Sequence, residues 1–202
     1  IAEETLKVNS LHQASSYAIH PVHHNHILMM FQPTTTKEVL SIINRMKSSS
    51  SAGIDDITSQ LLKFCAHELS HPLTDIVNKS LSQGIFPDEL KTSKIYPLHK
   101  QGDKHDIKNY RPISLLPTAS KVIEKVVLIR LIHHLQLNNL LPAGQHGFLP
   151  GKSTITALTE LVEKIIDNIE AGNTVSSTFL DLSKAFDCLD HSLILTKLDN
   201  LG

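Results

Sequence analysis

The stretch GFLPGKSTI, residues 147–155, places two glycines, a lysine and a hydroxyl ahead of a periodic apolar segment. A phosphate-binding loop uses that order: successive backbone N–H groups cradle the phosphates and a helix follows. The spacing fails the comparison. Only three residues separate Gly147 from Gly151 where four are needed, His146 stands where the first glycine belongs, and Pro150 removes a backbone donor. The preceding LLPAGQH is also a poor buried strand. The stretch reads instead as a turn before a helix capped by Ser153, and a nucleoside triphosphatase is disfavoured. A second constellation is FLDLSKAFDCLDH, residues 179–191. Asp181 ends an apolar run at the point where a strand would leave the core. A strand-end aspartate is commonly a turn former or a helix cap, and that reading stays open beside a catalytic one. Small Ala185 beside Phe186 leaves space near the acid with a ring at its border. A third group is cationic: Lys100 and Arg111, with Lys91, Lys94, Lys104 and Lys108 around them. Such groups neutralise phosphate charge, although a lone lysine is as readily a solvated surface residue.

The elements that must position these residues follow from pattern. PTTTKEVLSIINRMK reads as a helix, with Thr35 and Glu38 as a capping box and Val39, Ile42, Ile43 and Met46 on one face. SSSSAGIDD is a loop, in which Asp55 is a turn or helix-start residue. TSQLLKFCAHEL reads as helical from Thr58, and SHPLTDIVNKSLSQG as a helix with Pro72 early and Gly84 at its stop. TSKIYPLHK and YRPISLLP are short extended segments joined by a polar loop, so they predict a hairpin. A long helix follows over residues 119–136, carrying Val122, Ile123, Val126, Val127 and Ile129. Ser153 opens the next helix, with Ile155, Leu158, Leu161, Val162, Ile165, Ile166 and Ile169, and Gly172 stops it. TVSSTFLDL predicts a strand, and a short helix comes last. The alternation is that of an α/β or α+β protein.

Composition narrows the classes. At 202 residues and 41% apolar, the chain can bury a core and is not a disordered segment. A net charge of -1 means that any basic surface is local rather than global. Cys65 and Cys188 are too few and too far apart for a disulfide framework or a zinc site, and they suit a reducing interior compartment. His20, His23, His24 and His26 lack metal-ligand spacing and read as a loop. No signal peptide and no apolar run long enough for a bilayer are visible, so no membrane partner is expected. The non-Met start and abrupt LDNLG end lead to the expectation of a piece of a longer polypeptide.

Four blocks, in order, carry a family resemblance. SSAGIDDITSQLLK resembles an upstream block of the form G-x-D-hydrophobic. Residues 94–131 contain KIYPLHK and NYRPISLL, QHGFLPGKST resembles a Q-x-G-F-R-x-G-x-S-T block, and FLDLSKAFD is similar to the first palm motif. Together they resemble the reverse transcriptases of non-LTR (LINE-type) retrotransposons, over residues 48–202. The resemblance implies a helix-rich α+β fold, an incomplete right-hand polymerase comprising the fingers and the first palm strand. Residues 1–33 would be a polar upstream extension, 34–92 a helical upstream segment, 93–173 the fingers and 174–202 the start of the palm. The implied activity is RNA-directed DNA polymerisation with RNA template, DNA primer or target and dNTPs, inside the nucleus and cytoplasm of a host cell; oligomeric state is left open.

The resemblance also assigns roles. Asp181 would be the first metal-binding carboxylate, with the Leu182 backbone carbonyl beside it, for two Mg2+ ions about 3.5–4 Å apart that clamp the attacking and leaving oxygens. Lys100 and Arg111 would reach the dNTP triphosphate, and Phe186 would be a steric gate against a ribose 2′-OH. Lys94, Lys104, Lys108 and Lys152 would touch nucleic acid. Asp187, Asp190 and His191 are read as structural turn and cap residues. Two departures stand out. Leu149 replaces the basic residue that usually follows the Phe of the third block, and the family's later A-D-D turn is not in the sequence. One carboxylate cannot hold two Mg2+ ions, so the 202 residues alone are expected to be catalytically silent and to bind no Mg2+ tightly. The alternative is a non-enzymatic remnant, or a host-adopted nucleic-acid-binding or interaction module.

Overall fold

The computed structural model describes residues 30–182 and 189–200. The histidines of residues 20–26 lie outside them, as do Lys184, Ala185, Phe186, Asp187 and Cys188. The chain divides into two compact units, Leu28–His134 and the described residues from Leu135 onward. No helix among the described residues is long and apolar enough to cross a membrane.

The first unit is built on four helices. Helix α1, Thr36–Arg45, starts where the Thr35 hydroxyl accepts the Glu38 N–H at 3.2 Å. The other half of the expected capping box is not made. The Glu38 carboxylate turns instead to the Thr34 hydroxyl (2.8 Å) and to Arg130, because a guanidinium offers a stronger, two-pronged partner than a backbone N–H. Helix α2, Ser59–Phe64, is capped by the Thr58 hydroxyl on the Leu61 N–H, and breaks at Cys65. Helix α3, Ala66–Gln83, runs unbroken to Gly84, whose φ of 65° makes it a left-handed stop. Pro72 is therefore interior rather than early. Ala66, Ser70, Leu73 and Val77 form one buried face, and that burial outweighs the missing proline N–H. Helix α4, Thr118–Leu137, buries Val122, Ile123 and Val126. These meet Val39, Ile42 and Ile43 of α1, Leu62 of α2 and the apolar face of α3 in one core.

Between α3 and α4 stands the hairpin, β1 (Lys94–His99) and β2 (Tyr110–Leu115), paired antiparallel with Leu98 opposite Arg111 and Pro97 opposite Pro112. The Lys100 N–H donates to the Asn109 carbonyl at 2.8 Å, which marks that pair as hydrogen-bonded. Antiparallel pairs alternate, so the two prolines, three positions on, fall on a pair that exchanges no backbone bonds. Two prolines are thus tolerated without breaking the ladder. Upstream of α2, Gly53 passes against residues 116–117 so closely that a Cβ there would sit 2.6 Å from the Pro117 nitrogen. The Thr118 hydroxyl donates to the Ile57 carbonyl at 2.6 Å, and Asp55 Oδ1 accepts the Ile57 N–H at 3.2 Å, the turn role expected for it.

In the second unit, helix α5, Thr154–Glu170, opens on a reciprocal capping box between Ser153 and Thr156, and Gly172 (φ 78°) ends it. Its stripe of Ile155, Leu158, Val162, Ile166 and Ile169 is exposed. Residues 174–182, expected as a strand, form none: they run without regular structure and are exposed. A strand exists only with a hydrogen-bonded neighbour, and no described residue pairs with this run. Helix α6, His191–Asn200, is capped by Asp190, whose Oδ1 accepts the Ser192 N–H at 2.8 Å, as expected of a structural residue.

Candidate functional site

The hairpin gathers the cationic residues by register. Side chains alternate along a strand and directly opposed residues share a face. Lys94, Tyr96 and Leu98 therefore lie on the same face as Leu115, Ile113 and Arg111, and Lys100, one rung beyond β1, continues that face. Lys94, Lys100 and Arg111 are all exposed there, with the exposed Tyr96, Leu98 and Ile113 among them. A surface of cations around apolar rings and branches suits a ligand carrying both phosphate charge and a flat apolar base.

The loop that joins the strands is braced from within. Asp103 Oδ1 accepts the His105 N–H (2.9 Å), Asp106 Oδ1 accepts the Lys108 N–H (2.9 Å), and the Asn109 side-chain amide donates to the Asp103 carbonyl (2.8 Å). The Tyr110 hydroxyl donates to the Lys104 carbonyl (2.9 Å), and the His99 and Tyr110 rings meet edge-on with centroids 5.2 Å apart. Gly102 takes φ +88°, a left-handed bend that glycine alone adopts freely. The exposed Lys104 and Lys108 thus project from a loop held by backbone-directed bonds.

The glycine turn at residues 147–155 spends two of its backbone donors on itself and on α5. The Lys152 N–H donates to the Leu149 carbonyl (3.3 Å), and the Ser153 N–H donates to Thr156 Oγ1 (2.9 Å). Two donors that a phosphate loop would present are thereby used within the turn. What the sequence reading missed is His146. Its ring nitrogens meet Thr156 Oγ1 (3.0 Å) and Glu160 Oε2 (2.8 Å), while Lys164 Nζ meets Glu160 Oε1 (2.6 Å). Lys164, and then His146, hold the Glu160 carboxyl down to about 2. His146 thereby fastens the turn to α5, and the exposed Lys152 side chain stands beside a fixed backbone. The spacing of Glu160 and Lys164, four residues apart on a helix, was the available signal for half of this network.

Asp181 and Leu182 are exposed in the irregular run after α5, and Phe186 lies outside the described residues. No group of three His, Cys, Asp or Glu side chains among the described residues is placed to share a metal ion. Mg2+ requires near-octahedral oxygen coordination, and one carboxylate with one carbonyl does not supply it. The described residues therefore do not form a Mg2+ site by themselves.

Comparison with known proteins places the chain. Residues 98–202 match the reverse transcriptase (RNA-dependent DNA polymerase) family. The chain is 32% identical over 171 residues to the probable RNA-directed DNA polymerase from transposon X-element of Drosophila melanogaster, an alignment covering 83% of this chain and 19% of that protein. It is 29% identical over 170 residues to the RNA-directed DNA polymerase from mobile element jockey of Drosophila funebris, covering 84% and 19%. It is also 30% identical over 170 residues to the putative 115 kDa protein in type-1 retrotransposable element R1DM of Drosophila melanogaster, covering 82% and 16%. The chain belongs to the reverse transcriptase family, in its non-LTR retrotransposon branch, as the four blocks indicated. It spans about a sixth to a fifth of the length of these relatives.

Proposed function

We propose that the polypeptide carrying these residues is an RNA-directed DNA polymerase of a non-LTR retrotransposon, acting in the nucleus and cytoplasm of a host cell on an RNA template, a DNA primer or target and dNTPs. The observation that carries the reading is the hairpin face, where Lys94, Lys100 and Arg111 stand together by strand register, the last two within the family-matched residues 98–202. On this reading residues 93–173 act as fingers and residues 174–202 begin the palm. Arg111 and Lys100 neutralise the triphosphate, Phe186 screens the sugar, and Lys94, Lys104, Lys108 and Lys152 hold nucleic-acid phosphates. Asp181, with the Leu182 carbonyl, offers oxygen to Mg2+ alongside donors that lie outside the described residues.

RNA-templated primer extension tests this. Asp181→Asn abolishes incorporation in the active polypeptide, while Arg111→Ala raises the KM for dNTP by about 10- to 100-fold, the worth of one or two charge-assisted bonds to phosphate. Extension that survives Asp181→Asn unchanged would overturn the assignment. The 202 residues alone are expected to bind primer–template without incorporating dNTP, because one carboxylate cannot hold two Mg2+ ions.

A further inference from the structure

Within Leu28–His134 a cleft of about 650 Å³ opens between α1 and α4. Helical spacing builds its two long walls. Glu38, Ser41, Ile42 and Arg45 recur three or four residues apart on α1, and Lys121, Lys125 and Ile129 recur every four on α4. The segment after α1 closes one end with Lys47, Ser49 and Ser51. Buried Ser59 fixes that segment: its hydroxyl donates to the Lys47 carbonyl (2.8 Å) and accepts the Ser49 N–H (2.9 Å). The Ser49 and Ser51 hydroxyls lie 2.7 Å apart on the same wall.

Charge and polarity define what fits. Arg45, Lys47, Lys121 and Lys125 are exposed, and none forms an ion pair with a described residue. Glu38 is the one carboxylate in the lining, and both its oxygens are already engaged by Arg130 and Thr34. Lys121 and Lys125, one helical turn apart, repel each other until an anion lies between them. Ile42, Met46 and Ile129 supply the apolar part of the lining. A single nucleic-acid strand presents every matching element: phosphates for the cations, a free base face for the apolar residues and sugar oxygens for the serines. A duplex keeps its bases stacked inside and has no free face to offer.

The geometry points to this cleft as a binding site for a short single-stranded run of nucleic acid, a second anchor besides the hairpin face. The inference rests on the polymerase reading and adds a site to it. Fluorescence anisotropy with a labelled 12-nucleotide RNA, the DNA of the same sequence and the corresponding duplex tests it on the full 202-residue chain. Two cleft variants, Lys121→Gln/Lys125→Gln and Arg45→Gln/Lys47→Gln, are set against the hairpin variant Lys100→Gln/Arg111→Gln. Circular dichroism confirms that each variant folds. Each cleft variant is expected to weaken single-strand binding about tenfold and to reduce the slope of log K on log salt by about 1.4, at about 0.7 per phosphate contact. Whichever strand shows that loss, RNA or DNA, is the strand the cleft holds. Cleft variants that match the wild type while the hairpin variant loses binding overturn the cleft and leave the polymerase reading in place. Binding unchanged in all three variants overturns both. Displacement by inorganic phosphate or ATP as effective as by unlabelled 12-mer assigns the cleft to a small phosphorylated ligand, and equal dependence of duplex binding on the cleft assigns it to paired nucleic acid; either result overturns the inference.

Discussion

Arg130 and Glu38 are the most consequential polar pair in the first unit, and their coupling can be worked from geometry. The guanidinium meets the carboxylate as a fork, Nη1 to Oε1 at 2.7 Å and Nη2 to Oε2 at 2.6 Å. It also donates from Nε to the Gln32 carbonyl (3.1 Å) and from Nη2 to the Pro33 carbonyl (3.3 Å). Thr34 is in turn fixed by Asn78, which accepts its N–H at 2.7 Å and donates to its carbonyl at 3.1 Å. One arginine on α4 thus ties down the entry to α1 and, through Thr34, the flank of α3. The side chains are 16% and 26% exposed, so the pair lies between a surface bridge of about 0–1 kcal/mol and a buried one whose breakage costs about 3–5 kcal/mol. A coupling of about 2 kcal/mol follows for this double-bonded, partly shielded fork.

The assay is a double-mutant cycle with Arg130→Met and Glu38→Gln by urea unfolding, where about 2 kcal/mol moves the midpoint by about 1 M at a typical slope. The acid limb provides a second reading. The Arg130 hydrogen bonds hold the Glu38 carboxyl below the 4.5 of an unperturbed glutamate; burial opposes them and the Thr34 hydroxyl assists. A depressed folded value means that the stabilisation is fully present above about pH 4.5 and is lost as pH falls through the folded value. Wild-type protein therefore loses stability more steeply in that window than Glu38→Gln. A coupling below about 0.5 kcal/mol, or superimposable acid limbs, would refute the reasoning.

Gly53→Ala places a methyl 2.6 Å from the Pro117 nitrogen and 2.7 Å from the Leu116 carbonyl carbon, both backbone atoms that cannot swing away, so a cost of about 1–3 kcal/mol and a melting point lower by several degrees are expected; an unchanged melting point would show that the two segments separate easily. Because Lys164 and His146 hold Glu160 down to about 2, this network's support of the turn is present above about pH 4.5 and disappears as pH falls toward 2, and carboxyl NMR should give a midpoint near 2 rather than near 4.5. Lys152→Ala is expected to weaken primer–template binding only slightly, since its exposed side chain supplies at most one phosphate contact among several; triphosphate binding lost with Lys152→Ala but kept with Arg111→Ala would reverse the assignment of the two motifs.

Short-range chemistry was readable because its cause lies within a few residues. Thr35, Thr58 and Ser153 cap helices because a hydroxyl reaches an N–H three positions away, and Gly84 and Gly172 end helices because a left-handed residue costs glycine nothing. The hairpin was equally local: two β-rich runs and a polar loop fix each other's register. Glu38 shows where that logic stops. Its spacing from Thr35 fits a capping box, but its partner is Arg130, 92 positions away, and no local pattern announces which distant cation will arrive. Pro72 fails for the same reason. Its intrinsic preference is for a helix start, and the burial of Leu73 and Val77 against α1 overrides it.

Asp181 makes the same distinction within the candidate site. Its motif is recognised by resemblance, since the acid, the small residue and the ring stand in FLDLSKAF at the intervals of the family's first palm motif. The function proposed for it depends on two things that spacing does not encode. A β-strand needs a neighbour to accept its hydrogen bonds, and residues 174–182 have none among the described residues, so the apolar run that suggested a strand remains irregular and exposed. A hard divalent ion needs several oxygens at once, and a lone carboxylate does not preorganise them. The hairpin cations differ on both counts: their neighbours are adjacent in sequence, and a phosphate is attracted to each cation separately. That is why the cationic hairpin face is already assembled in Leu28–His134, while the metal-binding role proposed for Asp181 calls for further oxygen donors.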